Sequence, residues 1–183
     1  MEKTTQIPKG VDVHVHGMHV RVKGAHGELQ RDFDDARFNT KVKIERDNEK
    51  VRVSSSDENK KIKAIVGTIN AHVKNMMIGV SNGYKYEMKV LYTHFPISVA
   101  QSGSELQIKN FFGEKSTRTA KIVGNVEVKI DKETLTLTGN NVEEVGQTAG
   151  NIERACKLDK RDRRIFQDGI YLSERKLKSG EHV

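Results

Sequence analysis

An internal repeat, weak in identity and clear in pattern, constrains the fold of this 183-residue chain more than any other feature. Each half opens with short stretches that alternate apolar and polar residues. In the first half Val11–Val15 and Val20–Lys23 flank Gly17, and Val42–Ile44 and Val51–Val53 follow. In the second, Ile97–Ala100 and Leu106–Lys109 flank Ser102 and Gly103, and Val126–Ile130 and Leu135–Leu137 follow. A Gly-Glu step recurs in both, at Gly27-Glu28 and Gly113-Glu114. Period-two alternation bounded by Gly, Asn, Asp and Ser predicts half-buried antiparallel strands.

A helix closes each half. Ile62, Ile65, Val66, Ile69, Val73, Met76, Met77 and Val80 recur at spacings of three and four, one apolar stripe. Residues 54–57 supply candidate N-caps, and Gly79 or Gly83 can end the helix. The second helix carries Val142, Val145, Ala149, Ile152 and Ala155, with Asn141 and Glu144 at capping-box spacing. Asn82-Gly83 leads into Tyr84–Tyr92, with Tyr84, Tyr86, Met88, Val90 and Tyr92 on one face. Asp168-Gly169 leads likewise into Ile170–Leu172. The expected class is α+β, as two tandem duplicated units, each an antiparallel β-sheet packed by one main helix. Their bounds are 1–82 and 83–174, with 175–183 a flexible tail poor in apolar residues.

Composition narrows the function classes. Hydrophobic residues are 35% of the chain and charged residues 31%, so there is little apolar surplus. The net charge of +7 points to a polyanion such as nucleic acid, or to an anionic membrane surface. No apolar run approaches the roughly 20 residues of a spanning helix. Residues 1–9 show no apolar signal core, so a secretory signal is not expected. The single cysteine, Cys156, excludes an internal disulfide framework and a multi-cysteine zinc site, and suits a reducing compartment.

His14, His16 and His19 invite a metal reading. His14 and His16 share a strand face and His19 lies beyond the Gly17 turn, but no Asp, Glu or Cys stands at a matching spacing, so an exposed strand face is favoured. Cys156, at the end of the second stripe, reads as a small buried hydrophobe rather than a nucleophile. Gly10, Gly17, Gly24 and Gly27 match no phosphate-binding loop. No carboxylate pair or Ser-His-Asp arrangement stands out, so no catalytic residue is assigned.

Two basic segments remain. Residues 157–164 carry five basic and two acidic groups, with Phe166, Gly169, Tyr171 and Arg175 close behind. The segment Lys109-Asn110-Phe111-Phe112-Gly113-Glu114-Lys115 precedes Arg118. Such runs read either as solvated faces or as an RNA site, in which cations neutralise phosphates, Arg forks onto oxygens and Gly admits close backbone. The RNA reading nominates Lys109, Asn110, Phe111, Gly113, Lys115, Arg118, Lys157, Lys160, Arg161, Arg163, Arg164, Phe166, Gly169, Tyr171 and Arg175. A peripheral membrane binder is the weaker alternative, because the sheets need the 62–80 stripe as cover.

At these residues the chain resembles a known family, the archaeal and eukaryotic branch of the sixth protein of the large ribosomal subunit. The resemblance runs through Ile7-Pro8, the Val-Lys-Gly, Gly-Glu-Leu and Arg-Asp-Phe pattern of residues 22–33, Val73-Lys74-Asn75-Met76 and Gly79-Val80. It continues through Gly83–Met88, Tyr92–Ile97, Lys109–Lys115 and Asp168–Glu174. It implies a duplicated two-domain α+β protein on large-subunit rRNA, at the base of the stalk beside the sarcin–ricin and factor-binding region. It implies that the second domain makes most RNA contacts, through segments matching Asn110–Lys115 and Arg161–Tyr171. The bacterial branch has a Gly/Lys-rich, Tyr-containing motif near the second of these, where this chain has Arg163-Arg164-Ile165-Phe166-Gln167-Asp168-Gly169-Ile170-Tyr171. The implied partners are that rRNA and neighbouring large-subunit proteins, in the cytoplasm, with no cofactor, membrane or small-molecule substrate. The runner-up is an RNA-modifying or metal-dependent enzyme built on His14, His16 and His19.

Overall fold

The computed structural model describes residues 1–36, 38–57, 59–158, 162 and 164–182. The class is α+β, and the chain divides into two compact units, Met1–Gly83 and Tyr84–Val183, each with one main helix.

The first unit holds β1 (Glu2–Gln6), β2 (Asp12–His16), β3 (His19–Gly24), β4 (Gly27–Asp32), β5 (Val42–Asp47), β6 (Lys50–Ser55) and α1 (Lys60–Asn82). Its strands form two antiparallel sheets, ordered β1-β6-β5 and β2-β3-β4. The alternation works as expected: Val13, Val20, Val22, Val51 and Val53 are all fully buried, while their neighbours along the strands face water. The α1 stripe from Ile62 to Val80 covers both sheets in one core. The cap is not in residues 54–57, because Ser54 and Ser55 still belong to β6. The Ser55 hydroxyl donates to the Lys41 carbonyl (2.7 Å) and accepts from the Asp57 amide (3.1 Å), so it ties off the strand instead. Asn59 caps the helix, its side-chain oxygen accepting from the Lys61 amide (3.1 Å). At the other end Gly83, at φ 68°, returns its amide to the Gly79 carbonyl (2.9 Å).

The second unit holds β7 (Tyr84–Leu91), β8 (Ser98–Ser102), β9 (Glu105–Lys109), a 3₁₀ turn (Phe111–Gly113), β10 (Arg118–Lys121), β11 (Glu127–Asp131), β12 (Thr134–Gly139), α2 (Val142–Ala155) and β13 (Gly169–Leu177). Its sheets are β10-β9-β8 and β11-β12-β7-β13. The duplication is therefore visible in pairing: β7, β12 and β11 repeat β1, β6 and β5, and β8–β10 repeat β2–β4. The strand β13 has no counterpart among the described residues of the first unit. The Gly-Glu steps do not correspond, since Gly27 opens β4 whereas Gly113 ends the 3₁₀ turn ahead of β10.

Tyr84, Tyr86, Met88 and Val90 are buried along one face of β7, and Val145, Ala149 and Ile152 meet them from α2. Asn141 caps α2 as its spacing predicts: it accepts from the Glu143 amide (3.0 Å), and its side-chain amide donates to the Glu144 carboxylate (3.1 Å). Glu143 and Glu144 in the first turn and Arg154 in the last match the helix dipole. The expected flexible tail at 175 is corrected, because β13 continues to Leu177. Arg175, Lys176 and Leu177 pair with Tyr86, Lys85 and Tyr84, and the Leu177 side chain is buried.

Candidate nucleic-acid interface

The two basic segments meet on the second unit. Between β9 and β10 the backbone takes three left-handed residues in quick succession, Asn110 (φ 60°), Phe112 (φ 50°) and Gly113 (φ 74°). Only glycine adopts this region freely, and a residue with a Cβ gives up roughly 1–2 kcal/mol there. Asn110 anchors the turn by donating its side-chain amide to the Pro96 carbonyl (3.1 Å). The strained turn sets the two adjacent rings edge to face, with centroids 4.9 Å apart. Phe111 goes fully into the core, and Phe112 turns to meet Phe166 edge-on, with ring centroids 6.0 Å apart.

Arg118 links the segments from below. Its Nε and Nη2 fork onto the Glu114 carboxylate (2.9 and 2.8 Å), and its Nη1 donates to the Ala155 and Lys157 carbonyls (2.9 and 3.0 Å). Its guanidinium carbon lies 4.4 Å from the centre of the Phe111 ring. One side chain thus ties the 110–117 loop to the end of α2, whose unpaired carbonyls favour a cation.

Beyond the helix, Asp162 organises a turn. It accepts from the Arg164 amide (2.9 Å) and from the Arg164 guanidinium (2.9 Å to Nη2), and its carbonyl accepts from the Ile165 and Phe166 amides. The Arg164 hydrogen bonds hold the Asp162 carboxyl below its ordinary range. The turn leaves Arg164 90% exposed, Ile165 74% and Phe166 38%. Asp168 then returns inward, buried, accepting from the Thr93 hydroxyl (3.0 Å).

Seven of the fifteen nominated residues fall on this rim. Lys109, Gly113, Lys115, Lys157, Arg164 and Phe166 are exposed around it, with Asn110 half-buried. Gly169 is buried, and a Cβ there would lie 2.9 Å from the Tyr171 ring. Tyr171 is half-buried on β13. Phe111 is corrected from a contact residue to a core residue, because its closed-in ring has no face for a base. Arg118 is corrected from a phosphate cation to the clamp just described. Arg175 is not brought to the rim. It lies six residues along β13 from Gly169, roughly 20 Å by strand rise, with its guanidinium 5.8 Å from the Tyr86 ring centre. Lys160, Arg161 and Arg163 lie outside the described residues. Cys156 is buried as expected, and burial pushes its thiol up to about 11, away from thiolate chemistry.

The sequence reading missed a third wall. Phe95, 45% exposed, packs so closely on Gly113 that a Cβ there would stand 3.1 Å from its ring. Its strand-end loop, 92–97, looks like a connection until Thr93 and Pro96 are seen to hold the two basic segments. Cations, exposed rings and tight backbone around one rim can neutralise phosphates and stack bases. Among the described residues, no group of three or more His, Cys, Asp or Glu is arranged to hold a metal ion, the histidine cluster included.

The family model described as "Ribosomal protein L6" matches residues 7–83 and 95–169, one match in each unit. Three archaeal proteins, each named "Large ribosomal subunit protein uL6", are similar over nearly the whole chain. That of Ignicoccus hospitalis is 44% identical over 174 residues, covering 94% of both chains. That of Methanocella arvoryzae is 46% identical over 93% of this chain and 94% of its own. That of Sulfurisphaera tokodaii is 41% identical over 97% and 94%. The chain belongs to the ribosomal protein L6 family, in its archaeal and eukaryotic branch, and is a structural constituent of the large ribosomal subunit rather than an enzyme.

Proposed function

We propose that the rim of the second unit binds large-subunit rRNA, near the base of the stalk and the sarcin–ricin and factor-binding region. There it supports rRNA structure and translation beside neighbouring large-subunit proteins, in the cytoplasm. The observation that carries this reading is the convergence of the two basic segments through Phe112–Phe166 and Arg118–Lys157. Lys109, Lys115, Lys157 and Arg164 supply phosphate contacts. Arg164 exchanges an exposed carboxylate partner, worth little in water, for a phosphate. Phe95, Phe112 and Phe166 offer faces and edges to unpaired bases. Arg118 positions the rim and touches no RNA.

Binding to a large-subunit rRNA fragment over a salt series tests the assignment. Each phosphate contact removed by Lys115→Ala or Arg164→Ala reduces the log–log salt slope by about 0.7–0.9. Reversing Arg161, Arg163 and Arg164 together weakens binding further. Unchanged affinity and slope in that triple variant would remove the rim from the interface.

A further inference from the structure

In the first unit, the end of β4 and the turn after it face the flank of α1 across a hollow of about 340 Å³. The floor of the hollow is apolar. Phe33 and Ile69 are buried there, with Phe38 and Ile65 half-buried beside them. The lip is acidic, formed by Asp32, Asp34 and Asp35. Asp32 accepts from the Asp34 amide (2.9 Å), and Asp34 accepts from the Asn39 side-chain amide (2.8 Å). Both donors are neutral, so these two carboxylates are oriented without losing their charge. Arg31 is turned to the helix, donating to His72 Nδ1 (3.2 Å) with its guanidinium 5.5 Å from the centre of the Phe33 ring.

A carbon floor under a carboxylate lip matches a long apolar stem with a cationic tip, the build of lysine and arginine. The sign of the lip is the reverse of the chain's. Residues 31–38 set three aspartates against Arg31 and Arg37, the latter outside the described residues, and so sum to −1 in a chain of +7. Such a lip repels phosphates. The backbone beside it offers a second kind of contact. β4 is the outermost strand of its sheet. The Phe33 amide donates to the Met18 carbonyl (3.0 Å), and this register turns the backbone groups of Leu29, Arg31 and Phe33 toward β3. Those of Glu28, Gln30 and Asp32 therefore point off the edge, where an added strand pairs. Side chains alternate along an added strand, and those on its inner face fall beside Arg31 and Phe33, at the hollow.

We propose that this edge and hollow dock an extended, lysine- or arginine-bearing segment of a neighbouring large-subunit protein. One cationic side chain lies across Phe38 and Ile65 with its tip at Asp32 and Asp34, while the segment's backbone pairs with β4. The inference rests on the chain's place in the large subunit and makes no use of the rim. The first unit then carries a protein contact, and the second the RNA contact.

Thr68 lines the hollow from an exposed position on α1. In isolated large subunits, a photoreactive benzoylphenylalanine in place of Thr68 should cross-link to a lysine- or arginine-bearing stretch of another ribosomal protein, identified by mass spectrometry of the adduct. A cross-link to RNA, or none, overturns the proposal. The free full chain gives a second readout, with a synthetic peptide of alternating arginine and valine whose charge has the same sign as the chain's. The peptide should shift the amide resonances of Gln30, Asp32, Ile65 and Thr68. D32N/D34N should weaken its binding about fivefold, and Thr68→Trp, which fills the hollow, should abolish the Ile65 shift without lowering the melting temperature. Absence of the shifts, equal binding by wild type and both variants, or equal shifts from an alternating glutamate and valine peptide overturns the proposal. Both variants keep the wild-type salt slope on large-subunit rRNA, so the docking site and the rim fail separately.

Discussion

Six strands and a helix run in the same order in both units, yet two connections are far longer in the second. In the first unit β3 turns into β4 through Ala25 and His26, and Gly83 alone separates α1 from the next strand. In the second unit the corresponding connections are residues 110–117 and 156–168. Those two lengthened connections supply two of the three walls of the proposed RNA interface. The shared framework supplies the cores, and the departures from it supply the chemistry. The extra strand β13 belongs to the same departure, since it holds the far end of the 156–168 connection.

The largest effect should come from breaking one core and leaving the other. Ile69 is 2% exposed in the centre of α1, and Ile69→Asp buries an unpaired charge at a cost of about 3–5 kcal/mol. Amide exchange should show the first unit open while Leu135, Leu137 and Ile152 stay protected. Simultaneous loss of both units would mean that the cores do not stand separately.

Leu177→Ala asks whether β13 is part of the second core to its end. The expected cost is about 2 kcal/mol, confined to the second unit, and read by denaturant unfolding. A change below a few tenths would restore the flexible tail that composition alone suggests.

Alkaline pH sharpens the contrast without mutation. All four tyrosines and the cysteine lie in the second unit. Burial pushes Tyr84 up to about 12 and Cys156 up to about 11. Each is protonated in the fold where the unfolded chain has already lost its proton. Their stabilisation is therefore complete below their unfolded values and lost as pH rises through the folded ones. For Tyr84 this window runs from pH 10 to 12 and is worth on the order of 2 kcal/mol. The second unit should weaken there more than the first, and Tyr84→Phe should flatten the slope.

The sequence carried the architecture further than the site. Stripes of Ile, Val and Met at helical spacing, and Val at alternate positions, located both helices and most strands because burial imposes those periods. The strand β1 escaped, since Glu2-Lys3-Thr4-Thr5-Gln6 lies at a sheet edge and buries almost nothing, leaving no apolar rhythm to read. The division of each unit's strands into two sheets is a matter of pairing, which local pattern does not encode. Both basic segments were legible as charge beside aromatics. The fate of neighbouring side chains was not: Phe111 and Phe112 look equivalent until the left-handed turn sends one inward. Arg118 reads as a phosphate ligand until Glu114 and the end of α2 occupy its donors. Asn59 escaped for a similar reason, because two serines just upstream looked like better caps until β6 claimed them.

The strand order β11-β12-β7-β13 has a consequence for how the molecule is made. Translation delivers β7 early and β13 last, so β7 waits with one flank open until the final strand leaves the exit tunnel. The first unit has every one of its own pieces by residue 83 and can close at once. The segment 156–168 is secured at its far end only when β13 docks. The surface proposed to grip RNA is thus the last part of the second unit to close.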